Sequence, residues 1–355
     1  MIEILYLAAI LIDLVYVVML VSMNLPPEKT VVKKLPKVSV IIASKDGTVV
    51  ERALKQLKKV KNPKMEIIVV SSDAETLKVA KSYGTKIVRD RGAGKAAAVN
   101  SAVAAARCSI LYFMDEDMIV RTDTIAKVCS GLNGYEVSVG YNMPENSGSL
   151  TARVARIYIA FLSKLQYGLY RLAGTTFVGG RNLAIYKQTL KRFGGFRDVL
   201  CEDIELSLRL LEKRVKVRFV NAVAYDQVPE KFSSYLKQQQ RWNVGSGHAL
   251  GSWEKKFHFH HISLLLFLLF LGLVAPLSLI FMIMAAIFGD WLLLSVPLLG
   301  FLLCLSSAIS LGKRDLAVLP FTFFAFMVVH THTIIHSKIR KPKGWYRTPK
   351  IIRKN

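Results

Sequence analysis

The chain has 355 residues, 52% of them hydrophobic, and a formal net charge of +24 at pH 7. A basic surplus of this size binds nucleic acid or anionic lipid, and the chain carries no nucleic-acid-binding motif. The four cysteines stand singly, which argues against a zinc or disulfide framework and fits a reducing compartment. Apolar residues concentrate at 1–23 and 262–337, so the sequence predicts a membrane protein.

The first predicted element is a membrane anchor at residues 4–23. Glu3 precedes it and no small-residue cleavage site follows, so we interpret it as a retained anchor rather than a signal peptide. Lysines at 29, 33, 34 and 37 follow this segment. Because positively charged flanks stay in the cytoplasm, we expect the N-terminus outside and the following domain inside.

The next predicted elements are short apolar strands that alternate with helical segments. Such repeats form a mostly parallel sheet with helices on both faces, and the ligand binds beyond the carboxyl ends of the strands. We therefore predict an α/β fold whose site lies at residues 44–47, 71–73, 89–95 and 115–117. The predicted strands are 38–42, 66–70, 86–88 and 110–114, and the predicted helices are 49–60, 74–83 and 94–106.

Charged side chains follow these strands. Asp115 and Asp117 can share a Mg²⁺ or Mn²⁺ ion that also binds a nucleotide diphosphate, although a solvated acidic turn is the simpler interpretation. Asp73 can accept a hydrogen bond from a base, or cap the helix that begins at Ala74. Lys95 follows a glycine-rich turn at a helix start, where phosphate binds.

The order of these motifs resembles that of family 2 glycosyltransferases with a GT-A fold. The likeness covers roughly residues 36–250 and extends to the membrane branch, which includes cellulose, hyaluronan and ceramide-glucosyl synthases. The segments that carry it are 38–42, 66–70 with Asp73, Gly94-Lys95 with Asn100, 112–117, Gly179-Gly180-Arg181-Asn182, Gly194-Gly195-Phe196, Glu202-Asp203 and Gln238-Gln239-Gln240-Arg241-Trp242.

The resemblance implies a role for each matching residue. Asp203 would be the general base, with Glu202 and Arg241 also at the catalytic centre, and Asp115 and Asp117 would hold the metal and the diphosphate. The implied donor side consists of Ser44, Asp46, Asp73, Lys95, Asp115 and Asp117. The implied acceptor and diphosphate side consists of Gly179, Gly180, Gln238, Gln239 and Trp242, and the tail resembles a gating loop through Trp345, Thr348 and Lys350.

Residues 150–172 place basic and apolar side chains on different helical faces, which predicts a helix lying at the membrane interface. Three apolar segments follow at 262–288, 291–311 and 316–337, and then a tail with eight Lys or Arg and no acid. Because this tail should be cytoplasmic, we expect that one segment, 262–288 with Pro276, does not cross fully. The predicted domains are therefore 1–25, 26–250, 251–340 and 341–355.

The sequence thus predicts a metal-dependent, inverting hexosyltransferase of the plasma membrane with a cytoplasmic catalytic domain. Its donor would be a nucleotide sugar such as GDP-mannose or UDP-glucose, and its acceptor a hydroxyl of a lipid or lipid-linked glycan. Two alternatives stay open, namely transfer to a polyprenyl phosphate and a non-catalytic nucleotide-binding scaffold. The sequence does not define the sugar or the oligomeric state.

Overall fold

The computed structural model describes residues 2–32, 34–251 and 262–339. The strands are β1 (Val38–Ala43), β2 (Met65–Ser71), β3 (Lys86–Arg89), β4 (Ile110–Asp115), β5 (Ile119–Val120), β6 (Val137–Pro144), β7 (Leu183–Tyr186) and β8 (Val217–Asp226). The helices are α1 (Ile2–Asn24), α2 (Gly47–Leu57), α3 (Ala74–Ser82), α4 (Lys95–Ala105), α5 (Thr124–Ser130), α6 (Leu150–Ala173), α7 (Lys187–Arg192), α8 (Glu202–Glu212), α9 (Phe232–Gly251), α10 (Ile262–Phe288), α11 (Ser295–Ala308), α12 (Lys313–Ala317) and α13 (Leu319–Ile339).

The strands form an eight-stranded sheet with the order β3-β2-β1-β4-β7-β6-β8-β5. The first four are parallel. β1 and β4 are buried on both faces, as expected for central parallel strands, whereas β3 is a partly exposed edge strand. In this register Ala43 lies beside Val70 on one side and Asp115 on the other, so β1, β2 and β4 end at one edge. The predicted α/β fold with a mostly parallel sheet is confirmed.

The second half of the sheet mixes directions. β7 runs antiparallel to both β4 and β6, while β6 and β8 are parallel. The side chain of Asn182, just before β7, accepts a hydrogen bond from the Tyr112 hydroxyl (2.8 Å) and donates to the carbonyls of Tyr141 (2.9 Å) and Ala222 (3.1 Å). This buried amide therefore joins β4, β6 and β8 where the chain reverses.

Helix α6 forms a layer between the sheet and the membrane-type helices. It packs on β6 and also on α1, α10, α11 and α13. Ser149 caps its N-terminus by accepting from the Ala152 amide at 3.0 Å, and Gly174 ends it in the left-handed conformation. Because apolar groups cover several faces of α6, it is a buried connector rather than a helix with one exposed face.

One basic residue of α6 has its charge paired with an acid of the short helix α12. Arg156 is only 8% exposed and forms a double contact of 3.3 Å with Asp315 of α12. It also donates to the carbonyls of Pro144, Glu145 and Asn146. The charge of Arg156 is therefore paired inside the protein. The prediction that α6 lies at the membrane interface stays a prediction.

Three described helices are long and apolar enough to cross a membrane, namely Ile2–Asn24, Trp291–Ala308 and Leu319–His336. α10 is continuous across Pro276. Its residues Leu273–Phe288 form a shorter apolar segment than these three helices. By length and composition, therefore, one N-terminal helix and two C-terminal helices could cross a membrane. The predicted partial crossing of 262–288 and the orientation of the domains stay predictions.

Candidate active site

A cavity of about 870 Å³ opens where the parallel strands end. Its walls come from the carboxyl ends of β1, β2 and β4, the first turns of α4 and α8, the turn at Gly179-Gly180, and α6 and α9. Convergent polar groups in a concave site of this size are typical of a small-ligand or cofactor site. Most of the residues predicted from the sequence lie here.

Three consecutive carboxylates follow β4 and all line the cavity. Glu116 accepts hydrogen bonds from the Ser44 hydroxyl (2.7 Å) and the Lys45 amide (2.9 Å), and so fixes the end of β1 to the end of β4. Asp117 accepts from the Gln227 amide at 3.2 Å. The sequence assigned no role to Glu116, which lies between the two predicted ligands; the structure gives it a positioning role.

Lys95 begins α4 and lies among these acids. Its Nζ is 3.3 Å from Asp115 and 3.1 Å from Glu202 at the start of α8. Burial disfavours the ammonium charge, but Asp115, Glu202 and Asp203 outweigh burial and raise the pKa of Lys95 above its usual value. Lys95 is therefore a fixed positive charge at the centre of the cavity.

Arg181 is a second half-buried cation in the same wall, and the sequence gave it no role. It pairs with Asp226 at 2.8 Å and with Asp115 at 3.5 Å. Burial opposes its charge, while Asp226, Asp115, Asp117 and Asp203 raise its pKa. The missed signal was Asp226, the last residue of a long apolar strand, which resembles Asp115 at the end of β4.

Asp203 lies in the first turn of α8 and accepts a hydrogen bond from the Ile204 amide at 2.9 Å. Burial, followed by the negative charge of Glu202, raises the pKa of Asp203 to about 6, and Lys95 opposes this rise. A Cβ at Gly180 would lie 3.0 Å from the Asp203 carboxylate. Glycine at 180 therefore keeps access to this oxygen open.

α9 supplies a further wall through Gln238, Arg241 and Trp242, which recur on one helical face and all line the cavity. Trp242 packs on Tyr158 of α6, with ring centroids 6.3 Å apart. Gln239 does not line the cavity: it is buried beside it, and its side-chain amide has no hydrogen-bond partner among the described residues.

α9 also contacts the membrane-type helix α13. Asn243 donates to the Thr333 hydroxyl at 2.7 Å, and the Tyr235 hydroxyl lies 3.3 Å from Nε2 of His330. Apolar groups of both helices also meet around Val329. These contacts fix the position of the cavity wall formed by Gln238, Arg241 and Trp242.

The remaining predicted residues have other local roles or lie elsewhere. Asp46 caps α2 through the Thr48 and Val49 amides, and Asp73 caps α3, where the Thr76 hydroxyl and amide lower its pKa. Neither lines the cavity. Their predicted donor contacts stay predictions. Trp345, Thr348 and Lys350 lie outside the described residues.

Asp115 and Asp117 offer carboxylate oxygens of the kind that bind a divalent cation. Within residues 2–32, 34–251 and 262–339, no three His, Cys, Asp or Glu side chains are grouped as a metal cage. Mg²⁺ and Mn²⁺ at diphosphate sites commonly use only one or two carboxylates and complete their coordination with water and phosphate oxygens. Asp115 and Asp117 in one cavity wall fit that arrangement.

The curled, mostly parallel sheet with its cavity at the strand ends is the fold of GT-A glycosyltransferases. A family model described as "Glycosyl transferase family group 2" matches residues 110–328, which is more than half of the chain. The chain therefore belongs to this glycosyltransferase family, and the family and fold predicted from the sequence are confirmed. The predicted branch stays a prediction.

Two individual proteins are also similar. "Probable glycosyltransferase YdaM" of Bacillus subtilis (strain 168) is 28% identical over 244 residues, covering 63% of this chain and 58% of that relative. The chain thus spans less than two thirds of its length. Mannosyltransferase PcManGT from Pyrobaculum calidifontis, solved with GDP-Man and Mn²⁺, is 17% identical and aligns with a TM-score of 0.63 over 95% of this chain and 98% of that one.

Proposed function

We propose that the chain is an inverting glycosyltransferase that moves a hexose from a nucleotide sugar to a hydroxyl of a membrane lipid or lipid-linked glycan. The observation that carries the proposal is Asp203, whose pKa of about 6 suits a base that works near neutral pH. It lies in the wall of a cavity that also contains Asp115, Asp117 and Lys95.

On the donor side, the diphosphate would lie near Lys95 and Arg181, the two half-buried cations beside Asp115. The nucleoside would extend along the ends of β1 and β2, where Ser44, Ser71 and Ser72 line the cavity. The structural relative solved with GDP-Man makes GDP-mannose the first donor to test, followed by UDP-glucose.

The proposed reaction is a single displacement at the anomeric carbon. The acceptor oxygen forms the new bond as Asp203 takes its proton, and the bond to the diphosphate breaks with its electron pair leaving on phosphate. Lys95, Arg181 and Arg241 would stabilise that charge where it develops. A bound Mn²⁺ or Mg²⁺ would supply further neutralisation of the diphosphate.

The acceptor would come from the membrane. α6 and α9 form cavity walls and also pack on the membrane-type helices, so the cavity is next to the apolar part of the molecule. In the proposed arrangement α1 anchors the chain in the plasma membrane, residues 26–250 form the cytoplasmic catalytic domain, and 341–355 act as a gating tail. A polyprenyl phosphate acceptor is already ionised and needs no base, which makes it the second candidate.

The test is nucleoside diphosphate release by the full-length protein from a panel of GDP- and UDP-sugars. Each donor is assayed with Mn²⁺, with Mg²⁺ and with chelator, in the presence of membrane lipid. We expect release with one donor, its loss in chelator, and its loss in Asp117→Ala and Asp203→Asn. Asp123→Asn is the matched control, because Asp123 pairs with Lys127 at 2.6 Å outside the cavity.

Two results would contradict the proposal. One is full activity in both Asp117→Ala and Asp203→Asn. The other is a wild-type protein that neither releases nucleoside diphosphate nor binds any nucleotide sugar in calorimetry, which would favour the scaffold alternative.

A further inference from the structure

Two carboxamides meet at the side of the cavity formed by β6 and α6. Asn142 and Gln166 both line the cavity and are 7% and 3% exposed. They converge on Gly179, where a Cβ would lie 3.8 Å from Nε2 of Gln166 and 3.9 Å from Nδ2 of Asn142. The next residue, Gly180, lies against Asp203, so the amide pair and the proposed base both flank the Gly179-Gly180 turn.

The amide pair is held by its surroundings but keeps hydrogen-bonding capacity. Ser163 fixes the Asn142 backbone, donating to its carbonyl at 2.6 Å and accepting from its amide at 3.0 Å. Gln166 donates to the Phe177 carbonyl at 2.6 Å. Oδ1 of Asn142 has no hydrogen-bond partner among the described residues. An unsatisfied buried oxygen is costly, so a ligand hydroxyl that reached it would gain a full hydrogen bond.

This part of the wall is uncharged. The residues that β6 and α6 contribute to the cavity are Asn142, Ile159, Leu162, Ser163 and Gln166. The cations of the cavity come from other elements: Lys45, Lys95, Arg181 and Arg241. A phosphate acceptor would be bound by Arg guanidinium or Lys ammonium groups. Amides beside apolar groups instead suit the hydroxyls and C–H faces of a sugar, because a carboxamide both donates and accepts.

We infer that Asn142 and Gln166 form a subsite for the hydroxyl groups of an uncharged sugar, so the acceptor is a sugar-headed lipid rather than a phosphate or a simple lipid alcohol. This inference rests on the proposed function and specifies its acceptor. The subsite is formed partly by α6, whose other faces pack on α1, α11 and α13. A sugar attached to a membrane lipid therefore has a short path to it.

The experiment uses the full chain in a detergent without a sugar head group, and the donor that the wild type hydrolyses. Four acceptors are compared: octyl mannoside, octyl glucoside, octanol and geranylgeranyl phosphate. The variants are Asn142→Ala and Gln166→Leu. Ser138→Ala is the matched control, because Ser138 is on the same strand, is fully buried and lies outside the cavity lining.

We expect transfer to an octyl glycoside and none to octanol or the phosphate. Loss of one neutral hydrogen bond should raise the KM for the glycoside about three- to tenfold in each variant. The KM for the donor serves as the reference for an intact donor site, and Ser138→Ala should match the wild type in both constants.

Preferred transfer to geranylgeranyl phosphate or octanol overturns the inference, as does an unchanged glycoside KM in both variants. Donor hydrolysis without transfer to either glycoside also overturns it, while leaving the donor chemistry intact. A wild-type protein with no donor turnover is a different failure, because it removes the proposed function itself. If a variant does not fold, the comparison of acceptors with the wild type still decides the result.

Discussion

Lys95 and Glu202 form an ion pair of 3.1 Å that connects the first turn of α4 with the first turn of α8. The same ammonium contacts Asp115 at 3.3 Å, so it links the carboxylates after β4 to the acidic start of α8. The two sides of the proposed reaction therefore share one cation, and a change at Lys95 should affect both.

The first prediction concerns Lys95→Met. Lys95 lowers the pKa of Asp203, so its removal should shift the acidic limb of the rate profile upward by about one pH unit. Donor affinity should also fall, because a cation beside the diphosphate is lost. The measurement is kcat/KM against pH for Lys95→Met and for Lys86→Met, whose ammonium donates to the Ala105 carbonyl away from the cavity. An unshifted profile would contradict the electrostatic link.

The second prediction concerns the pH dependence of the wild type. The base must be ionised to accept a proton. Burial, together with the negative charge of Glu202, raises the pKa of Asp203 to about 6. We therefore expect kcat/KM to rise with pH through about 6 and to level above it. Asp203→Asn should lose about 10²- to 10⁴-fold in rate and lose this limb. A wild-type rate that stays constant from pH 5 to pH 8 would argue against Asp203 as the base.

The third prediction is a stability change with a defined sign. The pKa of Asp203 is above its usual 3.8 in the folded protein, so folding favours the protonated form. The stability from this group is complete below about pH 4 and is lost as the pH rises through about 6. Asp203→Asn removes the charge, so its Tm relative to wild type should be higher at pH 7.5 than at pH 4.

The carboxylate faces the cavity and is only partly shielded from solvent, so the effect on the free energy of unfolding should be about 1–2 kcal/mol. The measurement is thermal unfolding of both proteins across this pH range. A Tm difference that does not depend on pH would show that burial does not perturb Asp203.

The fourth prediction concerns the packing of α9 on α8. A Cβ at Gly245 would lie 2.4 Å from Sγ of Cys201, so Gly245→Ala must displace the helix that carries Arg241 and Trp242. Overpacking of this kind costs about 1–3 kcal/mol, and we expect a slower transfer rate with it. The double variant with Cys201→Ala should recover part of both losses.

Gly247→Ala is the control for this series, because a Cβ at Gly247 meets nothing within 4 Å. Transfer rate and Tm are compared for the three single variants and the double variant. Equal effects at Gly245 and Gly247 would indicate a general cost in the helix instead of a specific contact with Cys201.

The fifth prediction concerns the buried pair of Arg156 and Asp315, which joins α6 to α12. Arg156→Met should reduce stability by about 3–5 kcal/mol because it leaves a buried carboxylate unpaired. The double variant Arg156→Met with Asp315→Leu should recover the part of the lost stability that comes from the unpaired carboxylate. It should not recover the part that comes from the three lost hydrogen bonds to backbone carbonyls. Arg153→Met is the control, since the exposed Arg153 guanidinium donates to the Arg314 carbonyl instead of to a buried carboxylate. Tm measurements that rank the double variant below Arg156→Met would contradict this account.

Local sequence patterns allowed much of the parallel half of the sheet to be predicted. The strand ending at Asp115 is a short apolar run, and its neighbours end in register beside it, so the predicted edge and its acids coincide with the cavity. Asp46 and Asp73 show the limit of such reasoning, because an acid after a strand is equally suited to cap the next helix.

The contacts that could not be predicted join distant segments. Arg181 precedes β7 and Asp226 ends β8, and the two residues meet because β6 pairs with both of these strands. These pairings join segments that are far apart in the chain. Arg156 carries the same charge as an exposed arginine, and its burial depends on Asp315, which follows 159 positions later. The periodicity of apolar and charged residues predicts which residues share a face of one helix. It does not predict which other element packs on that face.

The position of α6 also limits how parts of this molecule can be exchanged. One side of this helix completes the sheet core and the other completes the helical bundle, through Tyr167 and Phe161 respectively. Consider a chimera that joins this catalytic part to the helical bundle of another family member. One surface of its α6 must match the sheet of the first parent protein, and the other surface must match the bundle of the second. Recombination near residue 250 alone would place a foreign bundle against an unmatched face of α6.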